Sequence, residues 1–334
     1  MELIPLKNIS IIFITITLFV SIDILYQYIF YKNLFGLTPG ICSYPKGVPL
    51  CERFSGVFGD ELIGGSFLAN FGIFSLIFYL YSVKLNKKQI LFSSISGLIV
   101  TLAIIISGER GALLTIVYCL IIYTIFNKDL RNSLLKIILF FSLIFIASIN
   151  FSENAKHRFI DWPYNYLNSF PGDNLFTKYL HTSWGGHYIT AYTIFSDNVI
   201  FGTGIRSFRV VCKSLDKELI SKKHNIDISV QPKDLCNTHP HNMQIELLSD
   251  LGILGFILIH AILYYVLFDK YINKRSLSQR NKNISLFLLI LITANFIPLR
   301  PTGSFFSTLP GYNIWFLVGF YLYFVNKKGL NEKI

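Results

Sequence analysis

Residues 9–30, ISIIFITITLFVSIDILYQYIF, decide the fold class. They hold one charged residue, Asp23, in a run long enough to cross a bilayer, which takes roughly 20 mostly apolar residues. The run is too long for a cleaved secretory signal, and no small-x-small cleavage site precedes a soluble domain. Seven further segments repeat the pattern, at 61–82, 90–107, 111–126, 134–150, 243–268, 284–299 and 311–326. The 334 residues are 52% hydrophobic and only 15% charged, against about 25% charged in soluble globular chains. The expectation is an all-α integral membrane protein of about eight transmembrane helices, with a large structured loop between the fifth and sixth. Along the chain this divides into a five-span half (1–150), a loop domain (151–241) and a three-span part (242–334).

Basic residues orient the spans. Segments 84–89, 127–136, 269–283 and 326–334 carry 14 Lys and Arg against Asp129, Asp269 and Glu332. That balance of +11 equals the net charge of the whole chain. These segments, and both termini, are therefore expected in the cytoplasm. Residues 31–60, the turn at 107–110, the loop at 151–241 and the segment 299–310 face the other side. The basic runs carry no interleaved stacking platform, so nucleic acid is not an expected partner. Residues 213–235 are polar and lysine-rich and are expected to form an exposed, mobile loop. Residues 174–196 read as helical, with Tyr188, Tyr192 and Phe195 on one face.

Four cysteines fall on the outer side, two by two, as an oxidising compartment favours. The expected disulfides are Cys42–Cys51 and Cys212–Cys236, with Cys119 alone inside a span. The spacings are not those of a zinc site, and no acidic pair or Asp-x-Asp motif offers itself to a metal. Neither a metal nor another cofactor is expected.

Three outer-side motifs could carry chemistry. The first is His239-Pro-His241-Asn242, followed by an apolar run and then Gly252-Ile-Leu-Gly255. It places His241 and Asn242 at the outer end of the sixth span, with the glycines about three turns deeper, where small residues let helices pack closely. Histidine is the usual general base near neutral pH. The blander reading is that His241 and Asn242 merely cap a helix. The second motif is Ser107-Gly-Glu-Arg110-Gly111, which puts Arg110 at the turn of a hairpin. A charge there is costly unless paired or hydrated, and a surface pair with Glu109 would satisfy it. The third is Phe201-Gly-Thr-Gly204-Ile-Arg206-Ser-Phe-Arg209, whose arginines would share a helix face and could clamp a phosphate. Arg53 and Arg300 are weaker outer-side candidates. Five arginines beside a histidine suit a polyanion, and a phosphorylated lipid is the natural one at a membrane.

At these residues the chain resembles the bacterial O-antigen ligase/polymerase family of GT-C type membrane glycosyltransferases. The family pattern His-[Asn/Ser/Gln]-x9-Gly-x-x-Gly matches at His241, Asn242, Gly252 and Gly255. The Ser107-x-x-Arg110-Gly111 hairpin and the stretches Phe201–Phe208 and Arg53-Phe-Ser-Gly-Val-Phe-Gly are also similar. Family members usually carry more spans, which would lie N-terminal to these eight. The resemblance implies a bacterial inner-membrane enzyme with a periplasmic active site. It implies a donor glycan on undecaprenyl pyrophosphate and either lipid A–core or a second lipid-linked glycan as acceptor. His241 would serve as the base, and Arg110, Arg206 and Arg209 would bind the pyrophosphate. Transfer would invert the anomeric carbon without a metal. Readings of another class are a transporter, which needs ionisable residues along its spans, and a non-catalytic assembly protein. Asp23, Glu246 and Asp250 are the main intramembrane candidates for the former.

Overall fold

The computed structural model describes residues 5–43, 50–224, 235–273, 277–298 and 300–326. Helices occupy all eight segments read as apolar spans. They are α1 (Leu6–Phe30), α2 (Gly64–Ser82), α3 (Lys87–Ile106), α4 (Arg110–Phe126), α5 (Arg131–Phe151), α12 (Met243–Phe268), α13 (Gln279–Ala294) and α14 (Thr308–Asn326). Among the described residues, five are long and apolar enough to cross a membrane: α1, α2, α3, α5 and α12. The apolar helix α4 is shorter, at 17 residues. Between α5 and α12 lie α6 (Glu153–Lys156), α7 (Trp162–Asn168), α8 (Leu175–Leu180), α9 (Ser183–Asp197), α10 (Phe208–Val211) and α11 (Lys217–His224).

Helix starts follow ordinary capping chemistry. Asn86 accepts from the Gln89 amide at the head of α3, and Ser152 from that of Ala155 at the head of α6. The helix expected at 174–196 is two helices. Thr182 interrupts it, bonding the Tyr179 carbonyl and capping α9 through the Gly185 amide. The loop expected at 213–235 contains α11; its remainder at 225–234 lies outside the described residues. The all-helical expectation needs one small amendment. Strands β1 (Gly40–Ser43) and β2 (Leu50–Arg53) form an antiparallel ribbon with Cys42 opposite Cys51.

The chain divides by contact into two units, and these boundaries differ from a division in chain order. The first comprises residues up to Pro163 with Leu277–Ala294. The second comprises Tyr164–Ser276 with Asn295–Asn326. In the first unit α1 packs on α2 and α3, around Ile24, Phe54, Leu68, Val100, Ile104 and Ile116. Helix α13 packs on α4 and is buried almost all round, from Ile284 to Ile292. Asp23 sits in α1 with its carboxylate accepting from the Leu34 amide and the Asn33 side chain. It is a local hydrogen-bonding group, of the kind that a buried carboxylate needs.

Outward faces are apolar. Ile11, Ile12, Ile16, Phe19 and Ile22 of α1 are exposed, as are Leu135, Ile137, Leu139, Phe140 and Leu143 of α5. A helix apolar on its exposed side is matched to lipid rather than water. This is a membrane protein.

Candidate functional site

The unit holding α12 builds its site from the start of that helix. Asn242 is the N-cap, accepting from the Gln244 and Ile245 amides at 3.0 and 3.1 Å. Its own amide donates to the Arg300 carbonyl. Capping therefore accounts for Asn242 but not for His241. His241 has φ 56°, in the left-handed region that costs a residue with a side chain about 1 kcal/mol or more. Its carbonyl is held by the Thr302 amide at 2.7 Å. This conformation turns the ring into an aromatic cluster, against His239 (ring centroids 4.1 Å), Trp184 (4.8 Å) and His187 (5.2 Å). The Asn237 amide meets His241 Nε2 at 3.0 Å.

Burial, then the positive charges that His239 and His187 would carry, hold His241 down to about 3. Burial also lowers His239, and Arg209 adds to the effect. Both imidazoles are thus neutral at physiological pH, the form that accepts a proton. The unfolded chain would protonate them near the ordinary value of about 6.5, so it binds more protons than the folded chain below that pH. Stability is accordingly expected to fall on acidification from about pH 7.5 to about 5. Thermal unfolding in detergent at the two pH values checks this, and His241→Asn should flatten the dependence.

Two acids on α12 act as clamps for neighbouring loops. Glu246 accepts from the Ser304 hydroxyl at 2.5 Å and the Phe305 amide at 2.7 Å. Asp250 accepts from the Arg206 amide, the Ser207 hydroxyl and the Phe208 amide at 2.7 to 3.3 Å. Neither is left to line an ion path. Arg206 lies in the left-handed region, at φ 60°, and is exposed. It precedes the short helix α10, while Arg209 lies within it. The two therefore do not share a helix face, contrary to the reading from their spacing. Asp250 and the left-handed turn orient Arg206 instead. Arg209 is half-buried, and its charge acts on His239, Glu246 and Asp250.

Gly252 also corrects its sequence reading. It is not a helix–helix contact but a break inside α12, with φ 65° and ψ −174°. The break frees the amides of Ile253 and Leu254, which donate to the Val199 and Ile200 carbonyls. Thr203 and Gly204 donate back to the Ser249 and Asp250 carbonyls. A Cβ at Gly252 would overlap Ile200, one at Gly202 would overlap Asp250, and one at Gly255 would overlap the Leu251 side chain. Gly202 and Gly252 thus serve a docked loop that ends in Arg206, whereas Gly255 packs on Leu251 of its own helix. Cys212 and Cys236 are disulfide-bonded in this unit, and Cys42 and Cys51 in the other.

In the first unit the Ser107–Arg110 hairpin turns at Gly108, with φ 69°. Glu109 is buried, and its carboxylate accepts from the Gly65 and Ser66 amides at the head of α2 and from the Ser66 hydroxyl. Burial pushes its pKa up, while Arg53 at 3.6 Å and the hydrogen bonds pull it back. Arg53 is thus the ion-pair partner of Glu109 and also donates to the Leu62 carbonyl. Arg110 holds its guanidinium over the Trp162 ring at 4.5 Å, and buried Arg158 approaches the same ring at 5.3 Å. Arg158 also donates to the Gly108 carbonyl at 2.8 Å. Sequence reasoning did not single out Arg158 beside the hairpin of the first unit, nor His187 and Trp184 around His241 in the second. The one signal was their density of aromatic and basic residues within a loop that hydropathy treats as a connector.

The family model for O-antigen ligase matches residues 95–260. These residues belong to the O-antigen ligase/polymerase family. The match spans Arg110, Arg206, Arg209, His241, Gly252 and Gly255, while Arg53 and Arg300 lie outside it. No curated protein matches the chain. Among the described residues, no group of three or more His, Cys, Asp or Glu is arranged to hold a metal ion.

Proposed function

We propose that the chain is a glycosyltransferase that moves a glycan from undecaprenyl pyrophosphate to a lipid A–core acceptor at the periplasmic face of a bacterial inner membrane. The observation that carries this reading is the strained, neutral His241, beside an arginine-bearing loop clamped to the same helix. His241 takes the proton of the acceptor hydroxyl. The hydroxyl oxygen attacks the anomeric carbon from the face opposite the leaving group, a new glycosidic C–O bond forms, and the bond to pyrophosphate breaks. Undecaprenyl pyrophosphate departs with the electron pair, and the configuration inverts. Arg206 and Arg209 stabilise the charge that develops on it. Arg110, half-buried over Trp162, is assigned to the donor phosphates on its charge and on the family pattern. No step needs a metal.

His241, held down to about 3 in the free protein, is a weak base. A pyrophosphate brought near the three histidines raises it, because an opposite charge favours the protonated form. Donor binding would therefore make His241 a stronger base toward the acceptor hydroxyl.

Arg206→Ala is expected to lower kcat/KM for the lipid-linked donor by about tenfold to a hundredfold, with Arg206→Lys recovering only part of it. Steady-state transfer with purified protein measures this, and an unchanged kcat/KM contradicts the role. The acceptor is tested in a strain lacking the gene. A ligase defect leaves long lipid-linked chains and bare core, whereas a polymerase defect leaves single repeat units on the core. The transporter reading gains nothing from Asp23, Glu246 or Asp250, each of which is spent on local hydrogen bonds.

A further inference from the structure

We infer that residues 199–205 form a membrane-seated loop whose apolar side chains enter the outer leaflet beside α12. Val199, Ile200, Phe201 and Ile205 are all exposed, Phe201 at 76% and Ile205 at 63%. In water such a run would be an unexplained apolar patch. Its occupant is indicated by what it is bonded to. The Val199 and Ile200 carbonyls accept from Ile253 and Leu254 of α12. Leu254 opens the outward stripe of that span, Leu254, Ile257, Leu258 and Ile262, all exposed. The loop's apolar side chains therefore continue a lipid-facing surface.

Depth agrees. By helical rise, Gly252 lies about 25 Å from Asp269, where the basic inner segment begins. A hydrocarbon core is about 30 Å thick. The docked loop thus meets α12 just inside the outer boundary of that core.

Non-helical backbone at this depth must have its polar groups satisfied by protein. Here the loop and the broken helix satisfy each other. Ile253 and Leu254 donate to 199 and 200, Thr203 and Gly204 donate to 249 and 250, and Gly202 donates to the Asn198 carbonyl. Gly202 and Gly252, both at positive φ, permit the close approach. The break in α12 is therefore the device that lets an irregular loop sit in lipid. On the transferase reading proposed above, this also sets Arg206 at the level of lipid phosphates.

The test reads depth rather than activity, so its failure leaves the transferase reading to its own assays. Cys119 is buried and the other four cysteines are paired, so an introduced cysteine is labelled selectively. Phe201→Cys carries an environment-sensitive fluorophore in the full chain, reconstituted in phosphatidylcholine vesicles. Ile205→Cys serves as a second site in case the first variant does not fold, and exposed Asp173→Cys as the reference. The expected result is blue-shifted emission at 201 or 205, quenched several-fold more by lipids bearing a nitroxide near the top of the acyl chain than at 173. Emission at both sites matching the reference, with quenching by aqueous iodide, overturns the inference.

Discussion

Gly252→Val is expected to cost about 3 kcal/mol or more and to remove most of the folded protein. Two penalties add. A residue with a Cβ at φ 65° pays for the left-handed conformation, and that Cβ overlaps the Ile200 backbone, which cannot swing away as a side chain could. Relieving the overlap would undock the 199–204 loop and strand the Ile253 and Leu254 amides without their acceptors. An unsatisfied buried amide is itself costly. The control is Gly319→Ala on α14, where an added Cβ meets nothing within 4 Å. It should not destabilise, and is expected to stabilise by up to about 1 kcal/mol, the helix-propensity difference between Gly and Ala. Recovery of monodisperse protein in mild detergent, followed by a melting scan, compares the two. Equal recovery would mean that the loop is not held by the break.

His241→Ala is expected to lower the transfer rate by about 10²- to 10⁴-fold, the range that positioned acid–base groups contribute. Folded protein should remain, because the helix cap belongs to Asn242 and the lost ring contacts are shared by His187, His239 and Trp184. The kinetic signature should separate this variant from Arg206→Ala. Loss of the base lowers kcat with little change in donor KM, whereas loss of a phosphate contact also weakens the donor complex. Initial rates at saturating donor, normalised to folded protein, provide the comparison. If His241→Ala kept its kcat while losing affinity, the residue would be a binding group rather than the base.

The parts legible in the sequence were those that composition and spacing encode. Lipid-facing helices need long apolar runs, so segments such as 9–30 and 134–150 were visible without any structure. The positive-inside bias is likewise a property of composition. His241 stood out from the other histidines because a fixed interval joins it to Gly252. What that interval does was not legible. A glycine pair in an apolar run reads as a close helix contact, since nothing in the letters reports a φ of 65°. Only the break, with the Ile253 amide turned to Val199, shows why Gly252 is needed. The spacing of Arg206 and Arg209 misled for a similar reason. It implies a shared face only if both are helical, and Asp250, 44 residues away in the chain, holds the Arg206 amide in a turn. Arg158 and His187 were hidden because their partners are distant in sequence: the Gly108 carbonyl for the first, His241 for the second.

The central claim is that this chain cleaves a glycan from a lipid pyrophosphate with His241 as base. Its most direct test uses purified protein in proteoliposomes, with a metal chelator present, supplied with an undecaprenyl-pyrophosphate-linked glycan and a lipid A–core acceptor. The account predicts release of undecaprenyl pyrophosphate in step with a new glycosidic bond of inverted configuration, and neither product from His241→Ala at equal folded amounts. Equal turnover by His241→Ala, or a product of retained configuration, would contradict it.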